Sequence, residues 1–177
     1  MPHDDAIFAG GCFWCTEAVF GQLNGVSKVV SGYIGGSVVD PTYKQVCGGD
    51  TGHAEGIRIT FDPEVISYGD LLDIFFATHD PTQLNRQGND IGTQYRSAIF
   101  PLNDDQRSAA QEGIVRASAD WPAPIVTSIE GPATWYPAED YHQEYWDGEG
   151  QRNPYCLAVI PPKLAKLKKI LGQKQMN

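Results

Sequence analysis

No stretch of this chain approaches the ~20 apolar residues that a membrane-spanning helix needs, and it has no internal repeat or low-complexity segment. No Gly-rich phosphate-cradling fingerprint follows a predicted strand, so the sequence implies no bound nucleotide cofactor. Basic residues are scarce. Lys163 to Asn177 holds five lysines, leaving 8 basic against 22 acidic groups over residues 1–162, a net charge of −14. Phosphate contacts need clustered Lys and Arg, which excludes nucleic acid as a partner. The lysines read as the solvated face and last turn of a terminal helix, where positive charge complements the dipole. The start, Met1-Pro2-His3-Asp4-Asp5, is acidic and leads into a short apolar run, unlike a secretory signal, so a cytoplasmic, reducing setting is expected. Four cysteines are too few and too scattered for a disulfide-stapled scaffold.

What is present suits one soluble domain: 177 residues, 41% apolar and 20% charged, enough to bury a core without staples. No apolar stripe beyond the core helices asks for a partner, so a monomer is expected. Periodicity and punctuation predict strands at Ala6–Ala9, Val26–Tyr33, around Ile57, Ile59 and Phe61, at Tyr95–Phe100 and at Ile125–Ile129. Helices are predicted over Cys12–Leu23, after a Ser67 cap with Asp70 at the capping-box position, and over Asp104–Ala119. That order implies an α+β fold, a ferredoxin-like βαββαβ two-layer sandwich with a mixed or antiparallel sheet and long loops. From Gly131 onward the chain is rich in Pro, Trp, Tyr and Gly. It reads as an irregular C-terminal extension with short helices near Glu139–Trp146 and Lys163–Leu171.

Chemistry is concentrated at Gly10-Gly11-Cys12-Phe13-Trp14-Cys15-Thr16-Glu17. Two glycines deliver Cys12 to the first turn of a helix, where unpaired N–H groups and the helix dipole lower a thiol's pKa and favour the nucleophilic thiolate. Isolated cysteines are usually small core hydrophobes, yet a core cysteine needs neither a flexible approach nor an aromatic wall. Cys12-x-x-Cys15 leaves two further readings open: a thiol–disulfide oxidoreductase, or, with Cys47, Cys156 or His53, a zinc-stabilised interaction module. Only one short paired motif is present where structural zinc sites use two, so no metal is expected. Three polar clusters add candidates: His53 with Glu55, where a buried carboxylic acid serves as proton donor; the loop Arg86–Ser97; and His142 among aromatics.

Together these segments resemble the peptide methionine sulfoxide reductases of the A type, which act on the S epimer of the sulfoxide. The resemblance runs in family order through Gly10–Trp14, Gly32–Gly36, Pro41–Tyr43, Thr51–Glu55, His79–Thr82, Arg86–Asp90, Gly92–Ser97 and Ala138–Gln143. It implies Cys12 as the catalytic cysteine, Phe13 and Trp14 as the apolar wall that receives the substrate methyl, and Glu55 as proton donor. Tyr43 and Tyr95 correspond to phenols that hydrogen-bond the sulfoxide oxygen and Asp90 to a supporting carboxylate, with His53 and His142 in supporting places. Cys12 would become a sulfenic acid, resolved to a disulfide by Cys156 on a mobile coil, with Cys15 as second choice. Cys47 sits in a motif that relatives carry without chemical use. The implied architecture is a single catalytic domain, 1–177, whose C-terminal coil and helix, 147–177, carry the resolving cysteine. Thioredoxin is the implied reductant, and oxidised proteins or peptides are the substrates. Both methionines, Met1 and Met176, lie at the chain ends, which suits an enzyme that avoids exposing its own substrate.

Overall fold

The computed structural model describes residues 3–171, so Met1, Met176 and the last lysine, Lys174, lie outside the described residues. In chain order the elements are β1 (Asp4–Gly10), α1 (Phe13–Phe20), β2 (Val26–Ile34), α2 (Tyr43–Cys47), β3 (Ala54–Phe61) and α3 (Tyr68–Thr78). There follow a small hairpin of β4 (Arg86–Gln87) and β5 (Asp90–Ile91), then β6 (Ser97–Ile99), α4 (Asp104–Ser118), β7 (Ser128–Ile129), β8 (Tyr136–Pro137) and α5 (Pro154–Leu171). Among the described residues no helix is long and apolar enough to cross a membrane.

The main sheet runs β7-β6-β1-β3-β2-β8. Its central four strands are antiparallel throughout, with Phe8 of β1 paired to Ile57 on one side and Ile99 on the other. This is the βαββαβ arrangement the sequence predicts. The sheet is mixed because β7 joins β6 in parallel, while β8 closes the other edge antiparallel to β2. Period-two alternation divides the side chains. Phe8, Ile57, Ile59 and Phe61 enter the larger core with Phe20, Leu72 and Phe75, and Ile7, Ala9, Ile34 and Ala98 pack on the opposite face. Phe8 is the centre of that core, with ring centroids of Phe75, Tyr68 and Phe20 at 4.9, 5.8 and 5.9 Å.

Local chemistry sets the helix starts. Ser67 and Asp70 form the predicted reciprocal capping box of α3, and Thr42 with Gln45 forms another that starts α2. The second box, in a segment read from sequence as loop, gives Tyr43 a helical position. Three expectations need correction. Tyr95 closes a 3-10 turn over Thr93–Tyr95, and the strand begins only at Ser97. The strand expected over Ile125–Ile129 is cut to two residues, because the Val126 amide donates to the Pro81 carbonyl at 2.8 Å. The helix expected over Glu139–Trp146 is a single 3-10 turn, Asp140–His142, since Glu144 takes φ +52° and no right-handed helix continues through such a residue.

The largest departure is α5, which begins nine residues before the predicted Lys163 and runs through Pro161 and Pro162. Asn153 starts it: its side-chain oxygen accepts from the Tyr155 and Cys156 amides at 2.9 and 3.3 Å, and Pro154 takes the first position. The two prolines remove amide donors to the carbonyls of Leu157 and Ala158, both exposed residues that water can serve. Cys156 therefore lies in the first turn of a helix, fully buried, rather than on a coil.

Candidate active site

The turn from β1 into α1 is built by its glycines. Gly11 holds φ +92°, and a Cβ there would meet the Gln87 side chain at 2.8 Å; one on Gly10 would meet the Phe75 ring at 2.9 Å. Gln87 is itself fixed by bonds from its amide to the Asp80 carbonyl and from the Asp80 N–H to its own oxygen, at 3.0 and 2.8 Å. The chain is thus delivered with Cys12 as the N-cap residue of α1.

Glu55 is the acid that this turn grips. The pairing β2–β3 sets it opposite Tyr33, on the alternation that carries Ile57, Ile59 and Phe61, so it points into the helix-covered core and is 1% exposed. Its Oε1 accepts the Phe13 N–H at 3.1 Å, which ties the carboxyl to the residue following Cys12. Its Oε2 is buried with no hydrogen-bond partner among the described residues. Burial, helped by the Asp90 charge and opposed by the Phe13 amide, pushes its pKa up to about 8. With Oε1 occupied as an acceptor, Oε2 is left to carry the proton.

Cys12 departs from expectation. The Trp14 N–H does favour its thiolate, as a helix start should, but burial, the Cys15 sulfur and the Glu55 charge outweigh it and raise the thiol well above the ordinary range. Cys12 and Cys15 shift one another in opposite directions. In that pair the negative charge is easier to hold on Cys15, whose thiol the neighbouring Cys12 and the Lys163 charge draw down against burial. Cys12 nonetheless keeps 9% exposure, against 3% for Cys15 and none for Cys156. All three pack in one cluster with Ile160 and Trp14.

The aromatic wall is assembled around this point. Phe13 lies 6.1 Å from Tyr43 and 5.7 Å from Tyr33 between ring centroids, and Trp14 stacks on Tyr145 at 4.0 Å and 11°. Tyr43 and Tyr95 are both partly buried, and burial, followed by the Glu55 charge, raises each phenol so that it stays a donor at any physiological pH. Glu139 places Tyr43 by accepting its backbone N–H at 3.0 Å while also accepting the Tyr33 hydroxyl at 2.8 Å. Asp90, on β5, accepts from the Tyr155 hydroxyl, a contact that joins the β4–β5 hairpin to α5. Tyr155 is a site residue that sequence reasoning missed; its only signal is its place beside Cys156.

Other sequence candidates have structural duties. His53 takes the Gly36 N–H on Nδ1 at 3.0 Å and reaches the Val38 carbonyl with Nε2 at 2.7 Å, tying down one loop. His142 accepts from Trp14 Nε1 at 3.0 Å. Cys47 is exposed at the end of α2. Among the described residues no group of three or more His, Cys, Asp or Glu side chains is arranged to hold a metal ion, in contrast to what a zinc module needs.

A cysteine at a helix start, a buried carboxyl bonded to the next residue's amide and an aromatic wall, all on this α+β sandwich, form the kind of arrangement a thiol-based enzyme uses. The profile of the family described as peptide methionine sulfoxide reductase matches residues 4–175. Peptide methionine sulfoxide reductase MsrA of Erwinia tasmaniensis is 71% identical over 169 residues, covering 96% of this chain and 95% of the relative. Mxr1 of Saccharomyces cerevisiae in reduced form superposes with TM-score 0.79 at 34% identity, over 87% of this chain and 89% of the other. A structure of Mxr1 in complex with Trx2 shares the fold, with TM-score 0.56 at 24% identity over 81% and 84% of the two chains. The chain belongs to the peptide methionine sulfoxide reductase family, type A, and its reaction is the reduction of methionine sulfoxide.

Proposed function

We propose that Cys12 attacks the sulfoxide sulfur while the Glu55 carboxyl protonates the leaving oxygen. Sulfoxide oxygen departs badly as an anion, so the acid must be neutral at the moment of attack, and a pKa pushed up to about 8 supplies that. Because the Cys12 thiol is itself raised, its proton passes to Glu55 as the first proton leaves, and the acid is regenerated. The protonated oxygen passes from the substrate sulfur to the Cys12 sulfur as the transient Cys12–substrate S–S bond breaks, so one thiol and one sulfoxide give Cys12 sulfenic acid and methionine. Tyr43 and Tyr95 donate to the oxygen as charge develops there. Asp90 supports the site through Tyr155 and through its charge, which adds to the rise of Glu55. The single observation that carries this reading is the Phe13 N–H to Glu55 bond, which fastens the acid one residue from the nucleophile.

The S epimer is the substrate. With the methyl against Phe13 and Trp14 and the oxygen toward Glu55, only one hand of sulfur leaves the third substituent pointing out of the cup. Oxidised proteins and peptides reach it from outside, as does free methionine sulfoxide. Cys156 then condenses with the sulfenic acid, releasing water and forming a disulfide. In this reading residues 1–177 act as one monomeric, cytoplasmic catalytic domain whose C-terminal segment carries the resolver, and thioredoxin reduces the disulfide, as the Mxr1 complex with Trx2 suggests by likeness. A second reading for the resolving step places Cys15 first, and its packing in one cluster with Cys12 together with its lowered pKa favours it.

Thioredoxin-coupled turnover of the separate S and R epimers tests the whole. Wild type should turn over S alone, and Glu55→Gln should lose most of the rate while Cys15→Ser keeps it. A Cys156→Ser variant should release one methionine per chain and then stall; recycling that persists in it moves the resolving role to Cys15. Full activity in Glu55→Gln with none in Cys15→Ser points instead to a thiol–disulfide oxidoreductase and overturns the proposal.

A further inference from the structure

The reading above assigns Trp14 to the methyl-accepting wall, but leaves open what holds an indole that is only partly buried in one orientation. We infer that His142 is the positioning and specificity-determining residue of that wall, a role that rests on the reading of Trp14 as the surface the methyl meets. The Trp14 Nε1–H donates to His142 Nδ1 at 3.0 Å. That bond requires a bare Nδ1, so the proton of the neutral ring sits on Nε2, which is buried with no partner among the described residues. The imidazole is 1% exposed. It lies 4.2 Å from the Tyr43 ring, 5.2 Å from Phe13 and 4.1 Å from Tyr141. One side chain thus touches Phe13, Trp14 and Tyr43, three members of the proposed cup.

The indole is pinned at two places, by this edge bond and by the face stack on Tyr145. His142 in turn is anchored to the sheet through its neighbour. Gln143 accepts the Ser31 N–H at 2.9 Å and donates to the Ser31 and Ala138 carbonyls at 2.9 and 3.1 Å. Position is therefore transmitted from β2 to the indole over two residues of a segment with little regular structure. Removing the acceptor frees the indole to turn on its stack and widens the space opposite Cys12. A wall fixed by one hydrogen bond limits substituent size, and one methylene in such a pocket is worth roughly 10- to 200-fold in discrimination.

The test compares kcat/KM for the S epimers of methionine sulfoxide and ethionine sulfoxide, its ethyl homologue, in wild type, His142→Phe, His142→Asn, Trp14→Phe and the double variant. His142→Phe keeps an aromatic filler and removes the acceptor; Asn restores an oxygen near the place of Nδ1. The methyl-to-ethyl ratio should fall about tenfold in His142→Phe, mainly through KM for the methyl substrate. It should return most of the way in His142→Asn, and in the Trp14→Phe background His142→Phe should add nothing. A ratio lowered by Trp14→Phe but intact in His142→Phe overturns the inference and leaves the wall standing, as does an equal loss for both substrates. A ratio unmoved by Trp14→Phe removes the wall itself. Should His142→Phe fail to fold, the Asn variant and the Trp14→Phe background still decide, because an Asn variant with a ratio far from wild type contradicts the role.

Discussion

The two halves of the active site are held by different physics. Cys12 and Phe13 sit at the start of α1, just after β1, and Glu55 on β3, where burial of Phe8, Ile57, Ile59 and Phe75 fixes the backbone. The opposite side, residues 131–153 and the start of α5, has little regular structure. Besides the packing of Cys156 and Ile160 and the stack of Tyr145 on Trp14, it is held by single polar side chains: Glu139 on Tyr33 and Tyr43, Gln143 on Ser31, His142 on Trp14, Tyr155 on Asp90, and Asn153 on its own helix. Apolar burial is non-directional and cumulative, whereas each polar tie is worth only about 1 kcal/mol net. The groups that must not move are on the first kind of support. The second kind carries Cys156, which in the proposed mechanism approaches another sulfur and then a partner.

The sharpest break in that comparison is Glu55→Gln, since the rigid half holds the acid at an energetic cost. Turnover of the S sulfoxide should fall by roughly 10²- to 10⁴-fold, the usual contribution of a positioned general acid. In wild type, kcat/KM should decline as pH rises past about 8, where Glu55 loses its proton; the Gln variant should lack that limb. Stability should move the other way. A carboxyl whose folded pKa is raised binds its proton more tightly folded than unfolded, so its contribution falls as pH climbs from about 4.5 toward about 8. Gln in its place should therefore stabilise the protein at pH 7 by on the order of 3 kcal/mol, read from denaturant midpoints. Glu17, raised to about 7 by burial, will keep a pH dependence of the same sign over the narrower window from about 4.5 to about 7.

Next in size is the core itself. Phe8→Ala should cost about 3–5 kcal/mol of global stability, because it empties the site shared by Phe20, Tyr68 and Phe75. At temperatures where the variant stays folded, its methyl-to-ethyl selectivity should be close to wild type.

The same contrast explains what the sequence made legible. Repeating apolar signals belong to the rigid half, so its strands, its two long helices and the βαββαβ order could be read from alternation and caps. Glu55 was readable too: extending Ile57, Ile59 and Phe61 back by two places puts it on the core face, although glutamate alone suggests solvent. The polar half has no period. Tyr155 on Asp90 and Glu139 between two tyrosines depend on residues 65 to 106 positions apart meeting in space, and no local pattern encodes that. The start of α5 is an intermediate case. Asn153-Pro154 is a cap followed by a first-turn proline, but the Pro161-Pro162 pair hides it by suggesting a later start.

The smallest expected effect separates the halves most cleanly. Gln143→Ala deletes three bonds to backbone groups of Ser31 and Ala138 at once. The freed Ser31 amide sits at the β8 edge of the sheet and can recruit water, so the global loss should be only about 1–2 kcal/mol. If the polar half is a separate, weakly held layer, amide exchange should quicken over 138–146 while the amides of Phe8 and Ile57 keep their protection. Uniform acceleration across both sets would mean that the brace and the core open together, and that Cys156 moves by some route other than release of this layer.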